Sequence, residues 1–109
     1  MMQEKQDIAV RIGAAAALDQ LAEESAELTH AALKLARIWR GVNPTPVSMA
    51  DAVSALREEV SDVLLCVSVA EAAIGARLPS EAIEARKLAR WKERLEAAGG
   101  EAAGNDIDA

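Results

Sequence analysis

The sequence predicts an all-α protein: an antiparallel helical bundle of three to four helices per chain, completed by homo-oligomerisation. Three observations lead there. Apolar residues recur in steps of three and four over two long stretches, 14–40 and 49–76, which is the helical period. Ala is abundant, Phe and Tyr are absent, and Trp39 and Trp91 are the only aromatic residues. Ala is the strongest helix former, and its small side chain lets helices approach closely. Finally, a core of Ala, Leu and Val in a chain of 109 residues buries little per residue. A second copy is therefore expected to cover part of the apolar surface.

The elements follow in order. Residues 1 to about 12 suit a short first helix, with Gly13 as the break before the next. From Ala14 to Arg40 the pattern is helical, with Leu18, Leu21, Ser25, Leu28, Ala32, Leu35 and Trp39 forming a heptad-like seam. Gly41 suits the residue after a helix C-terminus, and GVNPTPVS, with Pro44 and Pro46, reads as a loop. Ser48 followed by Asp51 resembles a capping box and opens a third helix from Met49 to about Ala76. Its seam is Val53, Leu56, Val60, Val63, Val67, Ala70 and Ile74. Leu78-Pro79-Ser80 makes a break and a new N-cap, and a fourth helix over roughly 81–97 carries Leu88, Trp91 and Leu95 on one face. Residues 1–98 read as one domain, and 99–109, Gly-rich and acidic, as a disordered tail.

Composition narrows the function classes. A net charge of −6 and a pI near 4.8 argue against nucleic acid as a partner. One cysteine, Cys66, excludes an intramolecular disulfide. No run is apolar enough to span a membrane, and MMQEKQD has no leader-like apolar region behind it, so a soluble cytoplasmic protein is expected.

Four acids carry the chemistry. Glu24 and Glu27 in LAEESAEL, then Glu59 and Asp62 in LREEVSDVLL, are each spaced i, i+3 and so share a helix face. Each lies one residue before a seam position, at the edge of the buried stripe. Glu27 falls 13 positions before Arg40 and Asp62 13 positions after Met49. At about 1.5 Å per residue both stand roughly 20 Å from the connecting loop, so antiparallel packing brings the pairs level. None has a cation four residues on: Leu28, Ala31, Val63 and Cys66 occupy those places. Carboxylates this close repel one another unless something positive neutralises them. An all-oxygen set points to a hard divalent cation, Mg²⁺ first, with Mn²⁺ as a substitute.

At this point the residues resemble a known group. EE-x-x-E (Glu23, Glu24, Glu27) followed by E-x-x-D (Glu59 to Asp62) resembles the signature of the all-α nucleoside triphosphate pyrophosphohydrolases, the MazG-like family. The surrounding EESAELTHAALKLAR and LREEVSDVLLCV are similar to that family's two metal-binding helices, and the resemblance covers roughly residues 14–96. It implies that Glu24, Glu27, Glu59 and Asp62 are Mg²⁺ ligands. It implies hydrolysis of a nucleoside triphosphate between the α and β phosphorus, giving a monophosphate and pyrophosphate, as in clearing surplus or non-standard nucleotides. Glu23 becomes the candidate to orient or deprotonate the attacking water, with Glu58 as the alternative.

Other positions have two readings each. Lys34 extends the stripe of Glu24, Glu27 and Ala31, where it could hold a phosphate or simply favour the helix dipole. Lys87, Arg90 and Arg94 form a basic stripe on the last helix, a triphosphate clamp or a solvated face paired with Glu84 and Glu93. There Trp91 stands where the K-x-x-x-N-x-x-R pattern frequent in the family has Asn. Trp39 and Trp91 fall on seams, which favours core packing over base stacking, and Cys66 reads as a small buried hydrophobe. Glu27-x-x-His30 has the spacing of di-iron carboxylate bundles, and a homodimer would supply the second such motif, making a ferroxidase-like site of Glu27, His30 and Glu59. A non-catalytic helical interaction module is the third possibility. The substrate, the base and sugar it carries, and homodimer against homotetramer stay open. Phosphoribosyl-ATP pyrophosphohydrolase chemistry stays open with them.

Overall fold

Helix caps written into the sequence set the architecture, which a computed structural model describes for residues 2–99. The order is α1 (Met2–Arg40), α2 (Met49–Ile74) and α3 (Glu81–Ala98), with no strand among the described residues. The acidic tail expected over 99–109 lies, from residue 100 on, outside the described residues. The chain divides into two units, Met1–Leu78 and Pro79–Ala109.

In the first unit α1 is interrupted where expected. Gly13 sits at φ 82, ψ 170, a conformation open essentially to glycine alone, so segments 2–12 and 14–40 have different axes. At the other end Gly41 takes φ 71 and donates its N–H to the Arg37 carbonyl at 3.1 Å, a left-handed cap. Helix α2 opens on Ser48, whose Oγ accepts the Asp51 N–H at 3.1 Å. It ends at Ile74, two residues short of the expected Ala76, because Gly75 turns to φ 73 and donates to the Glu71 carbonyl at 2.9 Å. The Glu71 carboxylate then accepts the Leu78 N–H at 2.9 Å, fixing the exit of the chain.

Helices α1 and α2 run antiparallel against each other. Lys5 and Gln6 line one recess with Ala72 and Gly75, Gln20 and Glu24 line another with Asp62 and Cys66, and Ala31 and Lys34 a third with Ala52 and Ala55. Their contact is made of small side chains. Ala9, Ala17, Val69 and Ala70 are buried together with Leu21, Ala72 and Ala73 packed around them, and Ala52 is buried nearer the loop. Ala on Ala brings the backbones close, but no large side chain among the described residues is fully buried. The hydrophobic gain, about 25 cal/mol per Å² of apolar surface, is correspondingly small.

Of the seam residues, Leu21 and Ala70 belong to this contact. Leu21, Leu28, Leu35, Val53, Leu56, Val63 and Val67 are only half-buried, and Leu18, Val60 and Ile74 are exposed. Trp39, expected in the core, is 69 % exposed.

The second unit is described by α3, opened by Ser80, whose Oγ accepts the Ile83 N–H at 3.2 Å. Leu88, Trp91 and Leu95 lie along one side of it and are exposed, so Trp91 is likewise not a core residue. No helix among the described residues is long and apolar enough to cross a membrane.

Candidate metal centre

The small-residue contact that joins α1 to α2 also aims their acids. Ala17 and Ala31 lie seven residues before and after Glu24, on the same face of α1, and both meet α2. Glu24 is therefore carried into the contact between the helices. On α2, Ala52 and Ala55 below and Cys66 and Val69 above do the same for Glu59 and Asp62. As a result, one carboxylate oxygen from each of Glu24, Glu59 and Asp62 comes together, all within 4.8 Å of one another. All three residues are half-buried.

Glu59 is at the focus. Its Oε2 is shut off from solvent and has no hydrogen-bond partner among the described residues. Burial pushes its carboxyl above the ordinary value of 4.5, and the charges of Glu24, Asp62, Glu27 and Glu58 push it further the same way. Every one of those neighbours is an acid. Gln20 steadies one edge of the cluster, donating its Nε2–H to Glu24 Oε1 at 3.4 Å, an i, i+4 contact along α1.

The raised carboxyl has a consequence for the metal-free protein. The native state holds the Glu59 proton more tightly than the unfolded chain does. Stability from this group is therefore present below the unfolded value and falls as pH rises through the raised folded one. Glu59→Gln, which does not titrate, removes that fall. Melting temperatures measured in chelator from pH 4 upward are expected to drop for the wild-type chain relative to Glu59→Gln. A constant offset between the two across that range would contradict the assignment.

The other sequence-derived residues are placed as follows. Glu27 is exposed and stands outside the group of three, lining a neighbouring recess of about 250 Å³ with His30, Ala31, Lys34 and Glu59. Its charge still reaches Glu59. Lys34 thus shares a groove with two of the four acids. His30 lies in the same groove, but no imidazole nitrogen joins the converging oxygens, so the E-x-x-H pairing does not form the cluster. Glu23 and Glu58 are exposed beside it. Lys87, Arg90 and Arg94 are exposed on α3, in the second unit.

Two features escaped the sequence. Gln20 is one, though its i, i+4 spacing to Glu24 was a readable signal. The other is a recess of about 280 Å³ whose polar wall is Gln20, Glu24 and Asp62 and whose apolar wall includes Ile8, Ile12 and Leu65. Cys66 lines it too, and burial, then Glu24 and Asp62, push its thiol up. A thiol held protonated in that way is a poor nucleophile, in keeping with a packing role.

Glu24, Glu59 and Asp62 are the residues that could hold a metal ion, and Glu59 Oε2 has no hydrogen-bond partner among the described residues. An all-oxygen donor set of this kind suits a hard divalent cation such as Mg²⁺ or Mn²⁺. No family model, curated protein or solved structure matches the chain.

Proposed function

We propose that this chain is a Mg²⁺-dependent nucleoside triphosphate pyrophosphohydrolase, releasing a nucleoside monophosphate and pyrophosphate. The observation that carries the proposal is the meeting of the two acidic motifs at one point, with Glu24, Glu59 and Asp62 inside 4.8 Å. A solvated acidic surface would leave these side chains apart and hydrated. Here they crowd, and the Glu59 Oε2 lacks any partner among the described residues.

In this scheme Glu24, Glu59 and Asp62 hold the cation, with Glu27 beside Glu59 as the fourth acid of the set. Bound Mg²⁺ supplies charge neutralisation for the triphosphate and lowers the pKa of water. The remaining work belongs to the chain. Gln20 keeps Glu24 turned to the cluster. Lys34, along the groove from Glu27 and Glu59, meets a phosphate as a point charge. Glu23, exposed and next to Glu24, accepts the proton of the attacking water. Hydrolysis needs no covalent intermediate, so positioning and charge stabilisation suffice. The same proposal takes the oligomer to be a homodimer or homotetramer whose copies complete the bundle.

The test is product identification. The full chain, with Mg²⁺ and a panel of NTPs and dNTPs, is expected to release pyrophosphate and monophosphate in equal amounts from at least one of them. Release of inorganic phosphate and a diphosphate, or no turnover across the panel, contradicts the proposal.

A further inference from the structure

We infer that His30 is a substrate-binding residue, forming with Lys34 the subsite for the β- and γ-phosphates, so that the triphosphate runs from the carboxylate cluster toward the α1–α2 loop. This deepens the proposed function and rests on it for the substrate. Two recesses flank the cluster, and they differ in charge. The one toward Gly13 sets Gln20, Glu24 and Asp62 against Ile8, Ile12 and Leu65, and no basic side chain among the described residues lines it. The one toward the loop, about 250 Å³, holds His30 and Lys34 beside Glu27 and Glu59. A phosphate tail leaving a cation at Glu24, Glu59 and Asp62 meets apolar walls in the first direction. In the second it meets two nitrogen donors.

Helix periodicity puts those donors there. Glu27, His30, Ala31 and Lys34 are spaced i, i+3, i+4 and i+7 along one face of α1, with Ala52 and Ala55 of α2 across from them. The alanines keep the groove open, since a longer side chain on either wall would fill it. His30 and Lys34 are four residues apart, so at about 1.5 Å per residue they stand roughly 6 Å apart along the groove. At that spacing two donors reach different oxygens of one pyrophosphate group. Both side chains are exposed, and neither makes a hydrogen bond or ion pair among the described residues, although Glu27 stands one turn before His30. Their N–H groups are therefore uncommitted. An imidazole keeps at least one such donor in either protonation state.

The acids in the same groove set a condition. Glu27 and Glu59 repel a phosphate until a divalent cation neutralises them, so the subsite acts only with the ion in place. In the hydrolysis, the water oxygen bonds to the α-phosphorus, and the bond from that phosphorus to the α,β-bridging oxygen breaks. The electron pair stays on the bridging oxygen, which leaves as part of pyrophosphate, and the water proton passes to Glu23. His30 and Lys34 donate hydrogen bonds to the β- and γ-phosphate oxygens as that charge arrives. Such bonds to an anionic acceptor are shorter and stronger than neutral ones. The same contacts are open to free pyrophosphate, so the product is itself a ligand of the metal-loaded chain.

Calorimetric titration of the full chain with inorganic pyrophosphate, in excess Mg²⁺ throughout, tests this without turnover. The wild-type protein is expected to bind it, and His30→Ala to bind it about tenfold or more weakly, as befits a lost hydrogen bond to a charged group. His30→Gln, which restores a donor, should recover part of that loss. Ala55→Leu, which fills the groove, should weaken binding without removing any donor. Helical circular dichroism and Mn²⁺ uptake should be unchanged in His30→Ala, because the side chain is exposed and lies outside the group of three carboxylates. Undiminished pyrophosphate binding by His30→Ala, or a parallel loss of Mn²⁺ uptake, overturns the inference. So does a wild-type chain that does not bind pyrophosphate. Failure of the proposed function alone reads differently: no nucleotide is turned over, yet pyrophosphate binding still falls in His30→Ala, which upholds the subsite and overturns the hydrolase.

Discussion

Replacing Glu59 by Gln is expected to abolish turnover while leaving the metal-free fold at least as stable as before. The two effects have one cause. Glu59 is the acid whose oxygen is closed off from water and whose neighbours are Glu24, Asp62, Glu27 and Glu58. Removing its charge relieves that repulsion, and the Gln amide can donate to the carboxylates that crowded it. The same change removes one of three converging oxygen donors. Residues that merely support metal ligands typically cost 10–100-fold when changed, so loss of a ligand should lower pyrophosphate release by about a hundredfold or more. Asp62→Asn should behave alike. Steady-state rates and chelated melting curves for both variants decide the matter. A variant that keeps full activity excludes the site, and one that unfolds shows that the acid serves structure instead.

The second large effect is stabilisation by Mg²⁺. A ligand that binds only the native state adds RT ln(1 + [L]/Kd), about 2.7 kcal/mol at a hundred times Kd. In a domain of this size each kcal/mol moves the melting temperature by about 4–8 °C, so the shift should be on the order of 10 °C. Low salt should enlarge the gain, because unscreened repulsion among the acids makes the ion bind more tightly. Glu59→Gln and Asp62→Asn should lose most of it. Ca²⁺, larger and suited to more ligands, should stabilise less than Mg²⁺ or Mn²⁺. Equal shifts for the wild type and both variants would assign the effect to ions bound elsewhere.

Much of this was legible because it is local. Ser48, Ser80 and Gly41 cap helices through contacts within four residues, and Gly13 breaks one through its own backbone. The meeting of Glu24 with Glu59 and Asp62 was legible for a different reason: equal distances from one loop bring antiparallel helices into register whatever the side chains between. What the sequence could not settle was rotation about each helix axis. Contact between α1 and α2 centred on Ala9, Ala17, Val69 and Ala70 brings Glu24, Glu59 and Asp62 together and leaves most of the other seam residues half-buried or exposed. That choice follows from Ala allowing close approach, which no hydrophobic period encodes. It explains at once why Glu24 enters the cluster and why Glu27, three residues on, lines the next recess. The recess formed with Ile8 and Ile12 was hidden too, because segment 2–12 reaches α2 only through the bend at Gly13.

The most direct measurement is a Mn²⁺ titration followed by the electron paramagnetic resonance of the free ion. The account predicts that the wild-type chain removes Mn²⁺ signal from solution, that Mg²⁺ restores it by competition, and that Glu59→Gln and Asp62→Asn leave it nearly untouched. Undiminished signal with the wild-type protein, or equal uptake by all three chains, would contradict a cation held between Glu24, Glu59 and Asp62.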